Sequence, residues 1–138
     1  MKKQRAFSMK LSQGVIVAKE DATALELACL MEGNNIGAVV ILDGERVVGI
    51  VSERDVVRRV VSKGLSPDKV HAKDFMTKDV KAAEFKDGID KIYETLCVTH
   101  FRHLPIMDNG KLVGIASQRD VLYSLAPRGL KDEDAKEE

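Results

Sequence analysis

Apolar and polar positions follow the same order twice along this chain, and each time the order predicts the elements β-α-β-β-α. Each copy begins with a short apolar run, at residues 15–18 in the first copy and 80–83 in the second. A stretch with apolar residues at positions i, i+3, i+4 and i+7 follows, which is typical of an amphipathic helix. These helical positions are Ala24, Leu27, Ala28 and Met31 in one copy and Ile89, Ile92, Tyr93 and Leu96 in the other.

Two further strands and a second helix complete each copy. The dipeptides Asp43-Gly44 and Asn109-Gly110 favour a hairpin turn between the two strands. The second helix begins at Ser52 in the first copy and at Ser117 in the second. The four predicted strands of the two hairpins are residues 38–42, 46–52, 104–107 and 111–117.

Capping residues predict where other helices begin and end. Thr23 with Glu26 forms a capping box at the start of the first helix, and Gly33 suits its end. Between the copies, Ser66-Pro67-Asp68 has the order of a cap followed by proline at the first helical position. This order predicts a short connecting helix that runs toward Phe75.

A seven-residue polar signature recurs on the repeated apolar frame. Gly49-Ile50-Val51-Ser52-Glu53-Arg54-Asp55 returns 65 positions later as Gly114-Ile115-Ala116-Ser117-Gln118-Arg119-Asp120. The repeat covers residues 11–60 and 76–125, which is most of the chain. Because one copy alone would bury too little apolar surface to be stable, the two copies are expected to pack on each other.

Composition and charge narrow the class of protein. The 138 residues include 22 basic and 22 acidic side chains, and 44% of the residues are apolar. This balance is ordinary for a globular domain and gives no electrostatic case for nucleic acid or an anionic membrane as the main partner. No apolar run is long enough to span a membrane, and Lys10, Ser12 and Gln13 interrupt what would be the core of a signal peptide. The sequence therefore predicts a cytoplasmic protein.

Two cysteines fall within the predicted first helices. Cys29 and Cys97 stand beside apolar residues, which in a reducing compartment predicts buried free thiols, and a disulfide between them has no other support. Cys97, His100 and His103 have spacings of three that could bring them near one metal ion. Structural zinc usually takes four ligands, and His71 is far away in the sequence, so no metal site is predicted.

The signature fits two kinds of chemistry. Its first glycine would allow another group to approach the strand backbone, since no side chain stands in the way. Ser-x-x-Asp at the start of a helix forms a capping box. Capping alone therefore explains Ser52 and Asp55, and likewise their equivalents Ser117 and Asp120.

The arginines of the signature are what capping leaves unexplained. Arg54 and Arg119 stand in the first helical turn, where the helix dipole disfavours a cation by about 0.3–1 kcal/mol. A locally unfavourable residue at the same place twice points to function. A serine hydroxyl, free amides at a helix start and an arginine suit a phosphate, and a nearby aspartate can accept both hydroxyls of a ribose. The signature therefore predicts a nucleotide site in each copy.

These motifs resemble those of a known family, the tandem cystathionine-β-synthase (CBS) domain pair, also called a Bateman module. The likeness includes Met76-Thr77 and the run Arg102-His103-Leu104-Pro105-Ile106-Met107-Asp108. The resemblance implies an α/β (α+β) fold in which two β-α-β-β-α repeats pack about a pseudo-twofold axis into one module. It also implies two clefts that bind AMP, ADP, ATP or S-adenosylmethionine, and pairing of two chains into a homodimer.

The resemblance implies a role for each site residue. The aspartates would hold ribose hydroxyls, the serines would contact ribose or phosphate, and the arginines would face phosphate. These ribose and phosphate residues are Ser52, Arg54, Asp55, Ser117, Arg119 and Asp120. The residues that would form the walls around the base and add phosphate contacts are Val15, Ile36, Ala38, Thr77, Val80, Phe101, Arg102 and His103.

The two copies differ where the pocket walls are expected. Phe101-Arg102-His103-Leu104-Pro105 aligns with Ile36-Gly37-Ala38-Val39-Val40, so the second copy has a basic pair where the first has small apolar residues. Leu11-Ser12 likewise stands where the family often has Met-Thr. We expect the clefts to differ in affinity, with Arg102 and His103 adding charge near one ligand's phosphates. A hydrogen-bonded structural role is the alternative for His103.

Two other functions compete with nucleotide sensing. Catalysis would need an asymmetric set of residues, and motifs that are repeated as near-equivalent pairs do not provide one. The chain is therefore predicted not to be an enzyme. An interaction module without ligand would dimerise or dock on a partner, with its arginines paired to acidic residues elsewhere. In a sensor, ligand binding would favour one arrangement of the copies, and an unidentified target protein would respond to it.

The organisation expected along the chain has five parts. They are an N-terminal segment at 1–10, a first repeat at 11–62, a connecting segment at 63–75, a second repeat at 76–126 and a tail at 127–138. The tail is rich in Lys, Asp and Glu, which predicts disorder. A free-standing module of this kind has no catalytic domain of its own to regulate, so its target would be another chain.

Overall fold

Each repeat in the computed structural model forms its own compact unit around a three-stranded sheet. The first repeat unit is Ile16–Val80, and the second repeat unit holds the described residues from Lys81 onward together with Val15. The structure describes residues 15–99, 101–127 and 129. The predicted N-terminal segment, Leu11-Ser12, His100 and most of the predicted tail lie outside the described residues.

The first repeat unit has the predicted order of elements. Strand β1 is Val17–Lys19, helix α1 is Ala24–Asn34, strand β2 is Ala38–Asp43 and strand β3 is Arg46–Ser52. Helix α2 follows directly as an α turn at Glu53–Asp55, a π turn at Val56–Val60 and a 3-10 turn at Val61–Lys63. A short helix α3, Ala72–Phe75, completes the unit.

The second repeat unit repeats this order with small differences. Strand β4 is Ala83–Glu84, a 3-10 turn is Phe85–Asp87, and helix α4 is Gly88–Thr99. Strand β5 is His103–Asp108, strand β6 is Lys111–Ser117, and helix α5 is Gln118–Leu125. None of the helices in the described part of the chain combines the length and the apolar character needed to cross a membrane.

The two sheets have the same topology and the same irregularity. In each sheet the first strand runs parallel to the second, and the second pairs antiparallel with the third, in the order β1-β2-β3 and β4-β5-β6. Both hairpins shift register at the equivalent place, between Ile41 and Leu42 and between Ile106 and Met107. The predicted mixed fold with two β-α-β-β-α repeats is confirmed.

Apolar side chains of the repeated frame form a separate core in each unit. The largest buried members are β-branched or branched aliphatic residues from the central strands and the facing helices. In the first unit they include Leu27, Val39, Ile41, Val51 and Val60, and in the second unit Ile92, Leu104, Ile106 and Val121. Truncation of one such Leu or Ile to Ala typically costs about 2–5 kcal/mol of stability.

The end of helix α1 differs from the prediction. Thr23 is the N-cap, and its side-chain oxygen accepts from the Glu26 amide at 3.1 Å. Gly33 lies inside the helix, and Asn35 ends it with φ 52°, in the left-handed region. Asparagine tolerates this conformation because its short polar side chain can hydrogen-bond locally.

The connecting helix begins later than predicted. Residues 67–69 form a turn, and α3 starts only after His71, whose amide donates to Asp74 Oδ2 at 2.9 Å. The backbone at the start of α3 is hydrogen-bonded to the backbone at the start of α1. The Val70 carbonyl accepts from the Ala24 amide at 2.8 Å, and the Ala72 amide donates to the Ala22 carbonyl at 2.7 Å. A helix that began at Pro67 would forfeit these bonds.

Several strand boundaries also need correction, and β1 is Val17–Lys19 rather than residues 15–18. The central residues of the first hairpin are Gly44 and Glu45, because Asp43 pairs with Arg46 as the last rung of the ladder and as an ion pair at 3.6 Å. In the second hairpin, Asn109-Gly110 forms the turn as predicted. The first strand of the second repeat begins at Ala83 rather than at residue 80.

The predicted burial of both cysteines is wrong. Cys29 and Cys97 are exposed free thiols, because their helices bury only the stripe that faces the sheet. Tyr93, which we expected in that stripe, is 38% exposed on the same face of α4 as Cys97. A hydrogen bond to Cys97 raises the pKa of the Tyr93 hydroxyl, and the charge of the neighbouring sulfur raises it further.

Candidate functional site

Both signatures lie where the third strand of a sheet turns into a helix. Ser52 ends β3 with φ −107° and ψ 166°, and Ser117 ends β6 with φ −97° and ψ 159°. This extended geometry is that of an N-cap residue, which has left the strand but has not entered the helix. The sequence therefore places each Ser-x-x-Asp at the helix start, as predicted.

Each serine and aspartate form a reciprocal capping box. In the first repeat, the Asp55 amide donates to Ser52 Oγ at 3.2 Å and the Ser52 amide donates to Asp55 Oδ2 at 2.9 Å. In the second, the Asp120 amide donates to Ser117 Oγ at 2.9 Å and the Ser117 amide donates to Asp120 Oδ2 at 3.3 Å. The capping interpretation of these four residues is confirmed, and each cap contributes about 1 kcal/mol.

The amides at the two helix starts are mostly in use, contrary to the expectation of free amides. In addition to the capping amides, the Glu53 amide donates to the Gly37 carbonyl at 3.0 Å. The equivalent Gln118 amide donates to the Arg102 carbonyl at 2.9 Å. Each signature has four backbone amides from its serine to its aspartate, and three of these four therefore donate to acceptors within the same repeat. An anion at this place would be held mainly by side chains.

The arginines of the signatures project from these helix starts. Arg54 and Arg119 are exposed in the first turn of α2 and of α5. The helix dipole disfavours a cation there, so the unfavourable placement inferred from the sequence is real in both repeats. Neither guanidinium takes part in the capping boxes, which use backbone amides, serine hydroxyls and aspartate carboxylates.

The aspartate of the first signature has a cationic neighbour that the sequence analysis missed. Arg59 Nε lies 3.7 Å from Asp55 Oδ1, and Arg59 Nη1 donates to the Phe75 carbonyl at 2.9 Å. The spacing of four residues between Asp55 and Arg59 on a helix is the signal that could have identified this pair. The two oxygens of Asp55 therefore have different neighbours, an amide at Oδ2 and a guanidinium at Oδ1.

Gly49 allows close approach to the strand, as its place in the signature predicts. A β-carbon at this position would overlap the Met76 sulfur and lie 3.1 Å from the Thr77 carbonyl oxygen. Thr77 and Ile50 exchange two backbone hydrogen bonds of 3.0 Å, so Thr77 extends the first sheet beyond β3. The group that approaches the glycine is therefore the chain's own Met76-Thr77 segment.

The structure brings one predicted wall residue of each repeat beside the capping serine. Ala38 opens β2 opposite Ser52, and His103 opens β5 opposite Ser117. Ala38 is buried, whereas His103 is half-buried and ionisable. Because the two strand pairs have the same register, Ala38 and His103 occupy equivalent positions. The first repeat therefore has a methyl group where the second repeat has an imidazole.

The other predicted wall residues occupy several kinds of position. Ile36 packs against the first core, and Arg102 is exposed while its carbonyl accepts the amide that starts α5. The Phe101 carbonyl accepts from Gln118 Nε2 at 3.5 Å. The half-buried residues of this set are Val15, Ile36, Thr77, Val80 and Phe101. Their grouping around one base stays a prediction.

A metal site has no support in the described part of the chain. Across residues 15–99, 101–127 and 129, no group of three or more His, Cys, Asp or Glu side chains is arranged to hold a metal ion. Of the three residues considered for such a site, His100 lies outside the described residues. Cys97 ends up exposed on α4, where its neighbour is Tyr93.

Comparison with known proteins gives a consistent match. The family model of the CBS domain matches the chain twice, over residues 9–62 and 72–127. An uncharacterized protein of Methanopyrus kandleri is 39% identical over 110 residues, which are 78% of this chain and 56% of that protein. The chain thus spans little more than half the length of this curated relative.

Solved structures share the fold. A CBS-domain containing protein of Agrobacterium tumefaciens is 30% identical with a TM-score of 0.78, and the match covers 89% of this chain and 98% of that one. The CBS domain pair of protein MJ0100, solved in complex with 5′-methylthioadenosine and S-adenosyl-L-methionine, is 23% identical with a TM-score of 0.72. That match covers 82% of this chain and 89% of the other.

Proposed function

This chain belongs to the CBS-domain family, and we propose that it is a regulatory module that binds an adenosine-containing ligand at its two repeated signatures. The ligand class is AMP, ADP or ATP, or S-adenosylmethionine. Occupancy would favour one arrangement of the repeats, and a separate partner protein would respond to that arrangement. The chain itself would perform no chemistry on the ligand.

The exposed arginine in the first turn of both signature helices is the observation that carries this proposal. Each capping box accounts for the serine, the aspartate and two amides at its helix start, and a loop carbonyl accepts from a third amide. The boxes make no use of Arg54 or Arg119. A guanidinium beside a serine hydroxyl suits a phosphate or another anionic group, which it can bind through two parallel hydrogen bonds.

Capping leaves capacity for a ligand at the same residues. A carboxylate can accept about four hydrogen bonds, and each capping box uses one of them at Oδ2. A serine hydroxyl that accepts from an amide still has its own proton to donate. Asp55 and Asp120 can therefore accept ribose hydroxyls, and Ser52 and Ser117 can donate to ribose or phosphate oxygens, while both helices stay capped.

The differences between the repeats support unequal affinities. The second repeat has His103 opposite its capping serine and the exposed Arg102 next to it, whereas the first has Ala38 and Gly37. Cationic side chains favour additional phosphates, so we propose that the second site prefers the more highly charged nucleotide. The ligands of protein MJ0100, a protein of the same fold, support the adenosine class but not a choice within it.

A ligand-free interaction module is the second candidate, and exposed apolar side chains favour it. Val57 on α2 is 58% exposed, and its equivalent on α5, Leu122, is 57% exposed. Val61, one turn after Val57, is exposed as well. We propose that these positions contribute to a homodimer contact. Homodimerisation and ligand binding are compatible, so a ligand screen is needed to separate the two functions.

A thermal-shift screen against AMP, ADP, ATP and S-adenosylmethionine tests the proposed function. A ligand at a hundredfold its dissociation constant should stabilise the fold by about 2.7 kcal/mol, which appears as a raised Tm. If none of the four raises Tm at millimolar concentration, ligand sensing is wrong and the interaction module is favoured.

Charge-removing variants of the aspartates separate binding from capping. Asp55→Asn and Asp120→Asn keep a side-chain oxygen for the serine amide but lose the charge, so each should weaken one site at least tenfold, about 1.5 kcal/mol per lost charged hydrogen bond. Asp74→Asn is the matched control, because Asp74 caps α3 in the same way outside both signatures. It should lower stability to a similar extent and leave ligand affinity, measured by calorimetry, unchanged.

A further inference from the structure

Arg59 connects the first signature to the segment that follows α3. Its guanidinium lies 3.7 Å from Asp55 Oδ1 through Nε and donates from Nη1 to the Phe75 carbonyl at 2.9 Å. The Arg59 side chain is 48% exposed and that of Asp55 is 16% exposed, so the pair lies at the edge of the folded unit. One side chain therefore contacts both a proposed ribose acceptor and a distant backbone carbonyl.

The backbone around Arg59 is irregular. Val56–Val60 is a π turn, and the Val61 amide donates to the carbonyls of both Val56 and Val57. A π turn inside a helix is uncommon and often marks a functional site. The equivalent stretch of the second repeat belongs to the regular helix α5, Gln118–Leu125. The widened turn therefore accompanies the arginine in the first repeat.

The second repeat has a different residue at the equivalent position. Ser124 stands 65 positions after Arg59, and its hydroxyl donates to the Asp120 backbone carbonyl at 3.0 Å. A serine cannot supply the positive charge that Arg59 brings to its aspartate. The Ser117 amide also lies farther from its aspartate, 3.3 Å compared with 2.9 Å in the first repeat.

The carbonyl that Arg59 holds is next to the segment that covers Gly49. Phe75 precedes Met76-Thr77, and Thr77 exchanges two backbone hydrogen bonds of 3.0 Å with Ile50. Arg59 therefore connects the helix that follows the signature to the chain segment paired with the strand that precedes it. A change at the Asp55 carboxylate can reach that segment through a single side chain.

We propose that Arg59 is a positioning residue that holds the Asp55 carboxylate for the ribose hydroxyls of the ligand. This inference rests on the proposed function and deepens it. The Ser52 amide fixes Oδ2 and the Arg59 guanidinium fixes the direction of Oδ1, so the carboxylate is oriented before a ligand arrives. The first site therefore discriminates between ribose and deoxyribose more strongly than the second, whose aspartate has a serine at the corresponding position.

Affinities of the full chain for AMP and 2′-deoxy-AMP, measured by calorimetry, test this inference. An Asp120→Asn background weakens the second site, so the first site dominates the signal. In that background, Arg59→Met should lower the preference for AMP over 2′-deoxy-AMP roughly two- to fivefold, as expected for loss of a partly exposed ion pair. Arg59→Lys should retain part of the preference because it retains the charge.

Matched variants identify a purely structural effect. Ser124→Ala in an Asp55→Asn background changes the equivalent position of the second repeat and should leave its preference between the two nucleotides unchanged. Arg58→Met removes the neighbouring exposed arginine and should leave the preference of the first site unchanged. If Arg59→Met fails to fold, Arg59→Gln, which retains a donor for the Phe75 carbonyl, replaces it in the comparison.

The outcomes separate this inference from the function on which it rests. If the unaltered chain binds neither nucleotide and no other adenosine ligand, the proposed function is wrong and the role of Arg59 is wrong with it. If the chain prefers AMP and Arg59→Met keeps that preference, or weakens both nucleotides equally, the proposed function stands and the positioning role is overturned. Faster hydrogen exchange at the Ile50 and Thr77 amides in Arg59→Met would support the connection to that segment.

Discussion

Gly49 is the residue whose identity follows most directly from its surroundings. The Met76 side chain and the Thr77 carbonyl lie against its backbone, and any side chain would have to displace one of them. Thr77 is held by two hydrogen bonds to Ile50, so the backbone has less freedom to move than the methionine. Glycine is therefore required by packing inside the repeat, before any ligand is considered.

Gly49→Ala should destabilise the first repeat. Overpacking of this kind typically costs about 1–3 kcal/mol, and chemical denaturation measures it as a lower free energy of unfolding. Met76→Ala removes the nearest obstructing atoms but also a buried core side chain, so Gly49→Ala should lower the free energy of unfolding less in a Met76→Ala chain than in the unaltered chain. Gly33→Ala is the control, because Gly33 lies inside α1 with open space around it and alanine there should stabilise by about 0.5–1 kcal/mol. Equal effects of the two glycine substitutions would contradict the packing argument.

Single residues were predicted well where the reason is local. The serines and aspartates of the signature cap their helices because the spacing alone brings an acceptor to the amide of the residue three positions away. The ion pair of Arg59 with Asp55 has a local signal in its spacing of four residues, whereas the second contact of Arg59, the Phe75 carbonyl, is 16 residues away and no local pattern indicates that contact. The exposure of Cys29 depends on which face of α1 the sheet covers, which the apolar spacing did not decide for that position.

Capping boxes are the shared feature of the two signature helices. Each box satisfies two backbone amides, and the next amide donates to the loop that precedes the second strand. Helices α2 and α5 therefore begin in a well-defined way without a ligand. They differ farther along, since α2 widens into a π turn and continues to Lys63, while α5 stays regular and ends at Leu125.

Removal of either serine hydroxyl should destabilise its own repeat by about 1 kcal/mol. Ser52→Ala and Ser117→Ala each leave an aspartate amide without its acceptor, and thermal or chemical denaturation measures the loss. Ser62→Ala is a suitable control, because Ser62 is exposed within helix α2 and its hydroxyl donates to the Arg58 carbonyl instead of capping the helix start. A larger loss for Ser62→Ala than for Ser52→Ala would contradict the importance of the caps.

Element types and hairpin bounds followed from the sequence more closely than helix ends did. Alternating and β-branched residues, together with the Asn109-Gly110 turn, specify β5 and β6 almost to the residue. Helix α1 instead passes Gly33 and ends at Asn35, because either residue can adopt the left-handed conformation and the sequence does not choose between them. The start of α3 is set by hydrogen bonds to the loop before α1, which are not visible in a local pattern.

At the scale of the whole molecule, the duplication provides two units of the same topology with unequal surfaces. Each unit has its own sheet and core, and the hairpins even share the position of their register shift. The duplicated frame was readable from the sequence because burial constrains it in both copies. A grouping of the predicted wall residues around a ligand cannot be read from the sequence in the same way, because it would depend on long-range placement rather than on spacing along the chain.

Charged substitutions on the exposed apolar positions should weaken the proposed homodimer. Val57→Lys combined with Leu122→Lys places two cations on equivalent exposed sites, which should shift the chain from dimer toward monomer in light scattering. Because both positions are exposed, the free energy of unfolding of the monomer should change by less than about 0.5 kcal/mol. Val17→Lys, at an exposed position of β1, is the control and should leave the mass unchanged. A monomeric unaltered chain would refute the homodimer.

The ligand-free capping of both helices has a kinetic consequence. A binding site that must fold around its ligand associates more slowly when ordering limits the rate, and it gives up part of its affinity to that ordering. Here the serine and aspartate are already held by the backbone before any nucleotide arrives. In the proposed sensor, occupancy would therefore follow the ligand concentration promptly in both directions, and the response time would be set by dissociation rather than by refolding.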